Sequence, residues 1–143
     1  MTSTQTVFAV GDTAPPRDFG PLTRQMFVRY SGASGDLNPM HYDDEMARSA
    51  GNPSVFSQGM HQSALLATFA TDWLGAANVR RFGVRFREQV WPGDILTCTG
   101  TITAITDGAD GETVATVELI CSRQTGAIAI AGSADFVITR AQA

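Results

Sequence analysis

Met60-His-Gln-Ser-Ala-Leu-Leu-Ala-Thr-Phe-Ala-Thr-Asp-Trp-Leu74, closed by Gly75, is the segment around which the rest of the chain can be ordered. It is rich in Ala and Leu, which are good helix formers. Leu65, Leu66, Phe69, Trp73 and Leu74 spread around much of a helical circumference, and a helix apolar on so many sides is mostly buried. Gly75 supplies the stop. Downstream the composition changes. Val79–Val90, Ile95–Ile105, Thr113–Ser122 and Ala127–Ile138 are rich in β-branched residues, and Pro92-Gly93-Asp94, Asp107-Gly108 and Thr125-Gly126 separate them. These runs predict four strands. The short turns between them predict antiparallel pairing, as a meander. Such a sheet must cover its apolar face, and helix 60–74 is the available cover. The expectation is an α+β fold, with residues 1–143 forming a single domain.

Upstream of the helix the chain is more broken. Residues 1–5 read as a flexible tail, Thr6–Val10 as a short strand, and Gly11-Asp12 and Pro15-Pro16 as turns. Thr23 is placed to cap a helix whose apolar face carries Met26, Phe27 and Tyr30, ending at Gly32 or just after. Residues 31–41 are so rich in turn formers that they read as an irregular loop. Residues 42–49 read as a short helix with Asp43, Asp44 and Glu45 in its first turn, where the dipole favours them. Residues 51–59 read as loop again.

Composition narrows the function classes. Apolar residues make up 43% of the 143 and charged residues 17%, which is a folded, globular profile. The net charge is -4 with no Lys/Arg cluster, which argues against a nucleic-acid partner. All ten basic side chains are Arg, so Lys Schiff-base and P-loop chemistry are excluded within this chain. Cys98 and Cys121 form no C-x-x-C pair and read as small buried apolar side chains. No apolar run suggests a signal peptide or a membrane span, so a cytoplasmic chain with no membrane partner is expected.

Chemistry concentrates in residues 30–41, where a Gly-rich polar stretch ends in a carboxylate and an imidazole, Asp36 and His41. Pro39 restricts Asn38 to extended geometry, and the Asn38 side chain can bond nearby backbone. The loop can thus hold the pair in fixed relation, as general acid–base work requires. On spacing alone Asp36 could equally cap a turn and His41 a helix.

The run Tyr30-Ser-Gly-Ala-Ser-Gly-Asp-Leu-Asn-Pro-Met-His41, followed by Ala47, resembles the signature of the MaoC-like, (R)-specific enoyl-CoA hydratase family. Val55-Phe-Ser-Gln-Gly-Met60 resembles that family's loop into its central helix, and Val84-Arg-Phe-Arg-Glu-Gln-Val-Trp-Pro-Gly-Asp94 its long strand ending in a Pro-Gly-Asp turn. The length and the Asp-Leu-Asn-Pro-Met-His loop are also similar to small dehydratase subunits of fatty-acid elongation. The resemblance implies a hot-dog fold, an antiparallel sheet wrapped around one central helix, usually paired into a dimer. It implies Asp36 and His41 as the catalytic pair, with Gly59 and Asn38 as substrate-binding residues. The Gly59 N–H would be the donor to the thioester oxygen, and its position just before a helix suits that role. The implied substrate is an acyl-CoA or acyl-carrier-protein thioester, with no cofactor beyond that carrier. The implied assembly is a homodimer or a heterodimer with a second hot-dog chain.

A partner-dependent dehydratase subunit, a hot-dog thioesterase and a non-catalytic acyl-binding subunit are the alternatives. Two residues depart from the pattern. Met40 stands where a β-branched residue or Leu is commoner, and Gln58 where His is.

Several weaker signals take plainer readings. His61, opening the central helix, reads as satisfied by a neighbour. The Asp36, His41, Asp43 and Asp44 group reads as dipole partners more simply than as a metal site. Arg81, Arg85 and Arg87 share a predicted strand face, suited either to solvent or to a CoA phosphate. Trp73 and Trp91 read as core or interface residues.

Overall fold

Two short strands come first in the computed structural model, which describes residues 6–140: β1 (Val7–Phe8) and β2 (Arg17–Phe19). The expected tail, residues 1–5, lies outside the described residues. Thr23 then accepts a hydrogen bond from the Met26 N–H (3.2 Å) and opens α1 (Arg24–Ser34). This helix runs through Gly32 and stops only where Gly35 adopts φ 76° and donates its N–H to the Ser31 carbonyl (3.0 Å). That left-handed conformation costs glycine nothing. Part of the stretch expected to be irregular is therefore helical, because the Gly that ends the helix is the second of two.

A second regular piece in that stretch is the 3₁₀ turn Pro39–His41, capped by Asn38 Oδ1 accepting from the Met40 N–H (3.1 Å). The next helix, α2 (Asp44–Ser49), begins two residues later than expected. Asp43 is its cap, accepting from the Glu45 and Met46 N–H groups at 2.9 and 3.1 Å.

The central helix α3 spans Gly59–Leu74 and ends at Gly75, as expected. Four long strands follow: β3 (Val79–Phe86), β4 (Leu96–Asp107), β5 (Thr113–Arg123) and β6 (Ile128–Val137), then a short β7 (Thr139–Arg140). β7 pairs in parallel with β1. The main sheet is antiparallel in the order β2-β4-β5-β6-β3. Only β4-β5-β6 is a meander. β3 does not pair with β4 as expected but crosses to β6.

The crossing explains why β3 stops at Phe86 and not at Val90. After a bond from the Arg87 N–H to the Ala129 carbonyl of β6 (2.9 Å), the chain leaves the sheet, buries Val90 and gives its carbonyl to the Ser57 N–H (2.8 Å). The Pro92-Gly93-Asp94 turn that closes this excursion is pinned by a buried carboxylate. Asp94 accepts from Arg123 Nε (2.7 Å), Gln124 Nε2 (2.9 Å) and the Trp91 N–H (2.8 Å). Burial pulls the Asp94 pKa up, but these donors, Arg123 foremost, outweigh it and hold the pKa below its ordinary value.

α3 packs across β3, β4, β5 and β6. Leu66, Phe69, Ala70 and Leu74 meet Ile102, Val117, Leu119 and Phe136 in the core. Cys98 and Cys121 sit opposite each other on β4 and β5, buried and unbridged. This is the hot-dog arrangement of a sheet around one helix. Trp73 is partly buried against Phe69 and Phe8, and Trp91 lies edge-on to Phe56. No helix among the described residues is long and apolar enough to cross a membrane.

Candidate active site

Asp36 and His41 are brought together by three consecutive local devices. Gly35 ends α1 and turns the chain. Asp36 Oδ1 then accepts from the Asn38 N–H (3.3 Å), and Asn38 Oδ1 accepts from the Met40 N–H. Each short polar side chain bonds backbone two residues on, which fixes the loop without a regular ladder. The Tyr42 hydroxyl adds a bond to the Leu37 carbonyl (2.9 Å). The result places Asp36 Oδ2 3.5 Å from His41 Nε2, with the carboxylate 44% exposed and the imidazole 7% exposed.

The imidazole is oriented from behind. His41 Nδ1 lies 2.7 Å from the Phe56 carbonyl oxygen. A carbonyl can only accept, so Nδ1 carries the proton, and in the neutral ring Nε2 is a bare lone pair. The Phe56 N–H bonds back to the Met40 carbonyl (3.2 Å), and the Phe56 ring stands edge-on to His41. Two acceptors, Asp36 Oδ2 and His41 Nε2, thus face each other at a distance too long for a direct hydrogen bond. A water between them could donate one O–H to each.

Asp36 lines a cavity of about 420 Å³ with Phe56, Ser57, Gly59, Gln62 and Phe86, closed on one side by residues 87–89. Gly59, expected as an oxyanion donor, is the first residue of α3 and lies in the same cavity. No described group accepts from its N–H. It sits against the Phe86 ring, where an added Cβ would come within 3.0 Å. Asn38, expected among the substrate-binding residues, does not line this cavity; it is exposed and its Oδ1 is engaged as the cap.

A larger depression of about 680 Å³ lies on the sheet face turned away from α3, among Arg81, Arg85, Glu118 and Ser133. It is an open sheet surface without an acid–base pair, and the chemistry points to the smaller cavity. The expected arginine face is divided accordingly. Arg81 pairs with Asp135 (2.7 Å) on the outer face, whereas Arg87, past the end of β3, lines the Asp36 cavity.

The remaining residues take structural parts. Gln58 is fully buried, and its Nε2 donates to the Phe27 carbonyl and to Ser31 Oγ (both 2.8 Å), tying the start of α3 to α1. His61 is satisfied by Ser57 Oγ at 3.1 Å and stacks on Tyr30, and burial holds its pKa below the ordinary value. Asp44 pairs with Arg24 (2.8 Å) and accepts from the Val55 N–H. Its pKa lies below the ordinary carboxylate value, chiefly because of the Arg24 hydrogen bond. Among the described residues no group of three His, Cys, Asp or Glu is gathered closely enough to hold a metal ion.

The sequence missed the Phe56 carbonyl, the 87–89 wall and Gln62. The first is a backbone atom that no residue type advertises. The wall depends on where β3 ends, and Gln62 reads from its position as one more polar residue of an otherwise apolar helix.

Fold and site together define a hot-dog domain with an Asp–His pair whose carboxylate shares a cavity with the first turn of the central helix. The model of the family described as "MaoC like domain" matches residues 7–122, and the chain belongs to that family. It is 29% identical over 77 residues to the 3-oxo-4,17-pregnadiene-20-carboxyl-CoA hydratase beta subunit of Mycobacterium tuberculosis, covering 53% of this chain and 60% of that one. It is 36% identical over 93 residues to the fatty acid synthase subunit beta of Gibberella zeae, covering 63% of this chain and 4% of that much longer protein. The solved (R)-hydratase from A. caviae involved in PHA biosynthesis superposes with TM-score 0.80 over 92% of this chain and 97% of that one, at 22% identity. At that identity the likeness speaks to the fold.

Proposed function

We propose that the chain reversibly hydrates trans-2-enoyl thioesters to (R)-3-hydroxyacyl thioesters. The observation that carries this reading is the convergence of two acceptors, Asp36 Oδ2 and His41 Nε2, beside a cavity that also holds a free helix-start N–H. A water donating to both acceptors keeps a lone pair for Cβ of the enoyl group. As the C–O bond forms, Asp36 takes the water's proton while His41 orients the water and shares that proton. Electrons move through Cα to the thioester oxygen, and the Gly59 N–H holds the developing charge at the positive end of α3. The pair then returns the proton to Cα, so that H and OH of one water are added. Dehydration is the reverse.

The substrate carrier is CoA or an acyl-carrier protein, and no cofactor takes part. Arg87 is the cation at the cavity wall suited to a CoA phosphate. Asn38 serves the substrate site through the loop that it holds. The reading treats residues 1–143 as one cytoplasmic domain, active as a dimer. β3 pairs with β6 on one side and, among the described residues, has no neighbour on its other edge, which is where a second hot-dog chain would join.

A second reading is supported by the relative named as a beta subunit: activity could require a different hot-dog partner. One experiment addresses both. The pure chain is assayed by the loss of enoyl absorbance on trans-2-enoyl-CoA substrates of increasing length. Metal-independent bleaching that Asp36→Asn abolishes supports the stand-alone hydratase. Inactivity on every length, relieved by a second hot-dog chain, supports the partner-dependent form. Thioester cleavage without hydration would overturn both.

A further inference from the structure

We propose that the Gln62 carboxamide is a second hydrogen-bond donor to the substrate's thioester oxygen, beside the Gly59 N–H; the inference rests on the hydration reading above. Gln62 is 2% exposed, and its Nε2 has no hydrogen-bond partner among the described residues. A buried donor without an acceptor is a standing loss of stability, and native proteins keep few of them. Gln62 lines the same cavity as Asp36 and Gly59, so the missing acceptor can arrive with the substrate.

Position along α3 says which atom it meets. Gln62 follows Gly59 by three residues and so shares its helix face. Long helical side chains lean toward the N-terminus, which carries the Gln62 amide back over the first turn. The Gly59 N–H is there, unpaired, at the positive end of the helix. Neighbouring side chains are already engaged. Gln58 Nε2 is turned onto α1, and His61 Nδ1 is bonded to Ser57. Two unpaired donors on one face call for an oxygen that gains negative charge, and the thioester carbonyl is that oxygen in an enoyl hydration. Gln58 Oε1, one turn earlier, is also buried without a partner, yet no hydrogen bond joins it to Gln62.

The test uses the full chain in its native assembly, with Gln62→Leu and Gln62→Met, which keep the bulk and remove the donor. Three quantities are read: kcat and KM on a trans-2-enoyl-CoA, the melting temperature, and the absorption of bound dimethylaminocinnamoyl-CoA. That probe moves to the red as its carbonyl is polarised. The expected result is a folded variant melting no lower than wild type, with kcat down on the order of 10²-fold and a smaller red shift. Unchanged kcat and red shift in either folded variant would overturn the inference. A drop in melting temperature alone would also overturn it, because it would mark Gln62 as a purely structural partner of Gln58. If wild type is active, Asp36→Asn is dead and the Gln62 variants are normal, only this inference falls. If wild type neither hydrates any enoyl-CoA nor shifts the probe, the hydration reading fails and takes this inference with it.

Discussion

Replacing Asp36 by Asn separates the chemistry of the loop from its architecture. Asp36 does two things: Oδ1 accepts from the Asn38 N–H, and Oδ2 faces His41 Nε2 at 3.5 Å. An Asn side chain can keep the first through its own oxygen. With the carboxylate 44% exposed, the change should cost little stability. The second function is lost. In place of an acceptor, Nδ2 presents a donor, which can bond His41 Nε2 directly and occupy the lone pair that would have held the water. The substitution thus removes one acceptor and blocks the other. Loss of a positioned general base costs on the order of 10² to 10⁴ in rate, about 3 to 5 kcal/mol of transition-state stabilisation.

The same geometry predicts strong non-additivity. His41→Ala removes the second acceptor, and the Asp36→Asn/His41→Ala double variant should be about as slow as the worse single one, because the two residues hold one water as a unit. The assay is single-wavelength loss of enoyl absorbance on the purified protein, with thermal melts confirming the fold. A folded Asp36→Asn within fivefold of wild type would refute the reasoning. So would a double variant whose loss is the product of the two singles.

Gly59→Pro removes the N–H while keeping the helix, since Gly59 is the first helical position and Gln58 before it has φ -64° and ψ 133°, compatible with a following proline. kcat should fall on the order of 10²-fold, whereas Gly59→Ala should show only the smaller cost of moving the Phe86 ring; equal kcat in the two would remove Gly59 from the mechanism. Asp94→Asn removes the buried countercharge of Arg123, leaving Glu88 at 3.8 Å as its nearest carboxylate among the described residues, and should destabilise by about 3 kcal/mol in denaturant melts. Because the folded Asp94 pKa lies below the ordinary value, its contribution is present above roughly pH 4 and drains as the pH falls through the folded pKa, a slope that Asp94→Asn should lack. Burial likewise depresses His61, so stability should fall as the pH drops below about 6.5, where the unfolded chain takes the proton first; His61→Phe should flatten that slope. Light scattering should find a dimer at micromolar concentration, and a stable, active monomer would contradict the open-edge argument.

Legibility in the sequence followed the range of the interactions. The central helix could be read within a residue, from 60–74 to Gly59–Leu74, because its apolar positions and its terminal Gly75 are local signals. The dyad was legible because Asp36, Asn38 and His41 are locked by turns two residues long. β2 has only three residues and no alternation to betray it. The partner of β3 was misread because Pro92-Gly93-Asp94 looks like a hairpin turn. Its meaning lies in Arg123 and Gln124, donors on the far side of β4 and at the end of β5. Nothing local says that a carboxylate in a turn will be buried under a distant guanidinium.

The same contrast between local and distant interactions runs through the Asp36–His41 pair itself. Local turns bring Asp36 near His41, but they leave the imidazole free to rotate and free to choose its tautomer. The Phe56 carbonyl removes both freedoms, and it reaches His41 only because the chain from 51 to 58 returns alongside the loop before α3 begins. That return is anchored just before α3 by three consecutive non-local attachments: the Phe56 N–H to Met40, the Ser57 N–H to Val90, and the buried Gln58 amide to α1. The excursion that shortens β3 therefore does more than wall the cavity. By giving the Val90 carbonyl to Ser57, it helps fix the strand of backbone that decides which nitrogen of His41 faces the carboxylate. The residue carrying that decisive carbonyl could be any amino acid, so the tautomer and orientation of His41 are written in the fold's return path and not in the identity of position 56.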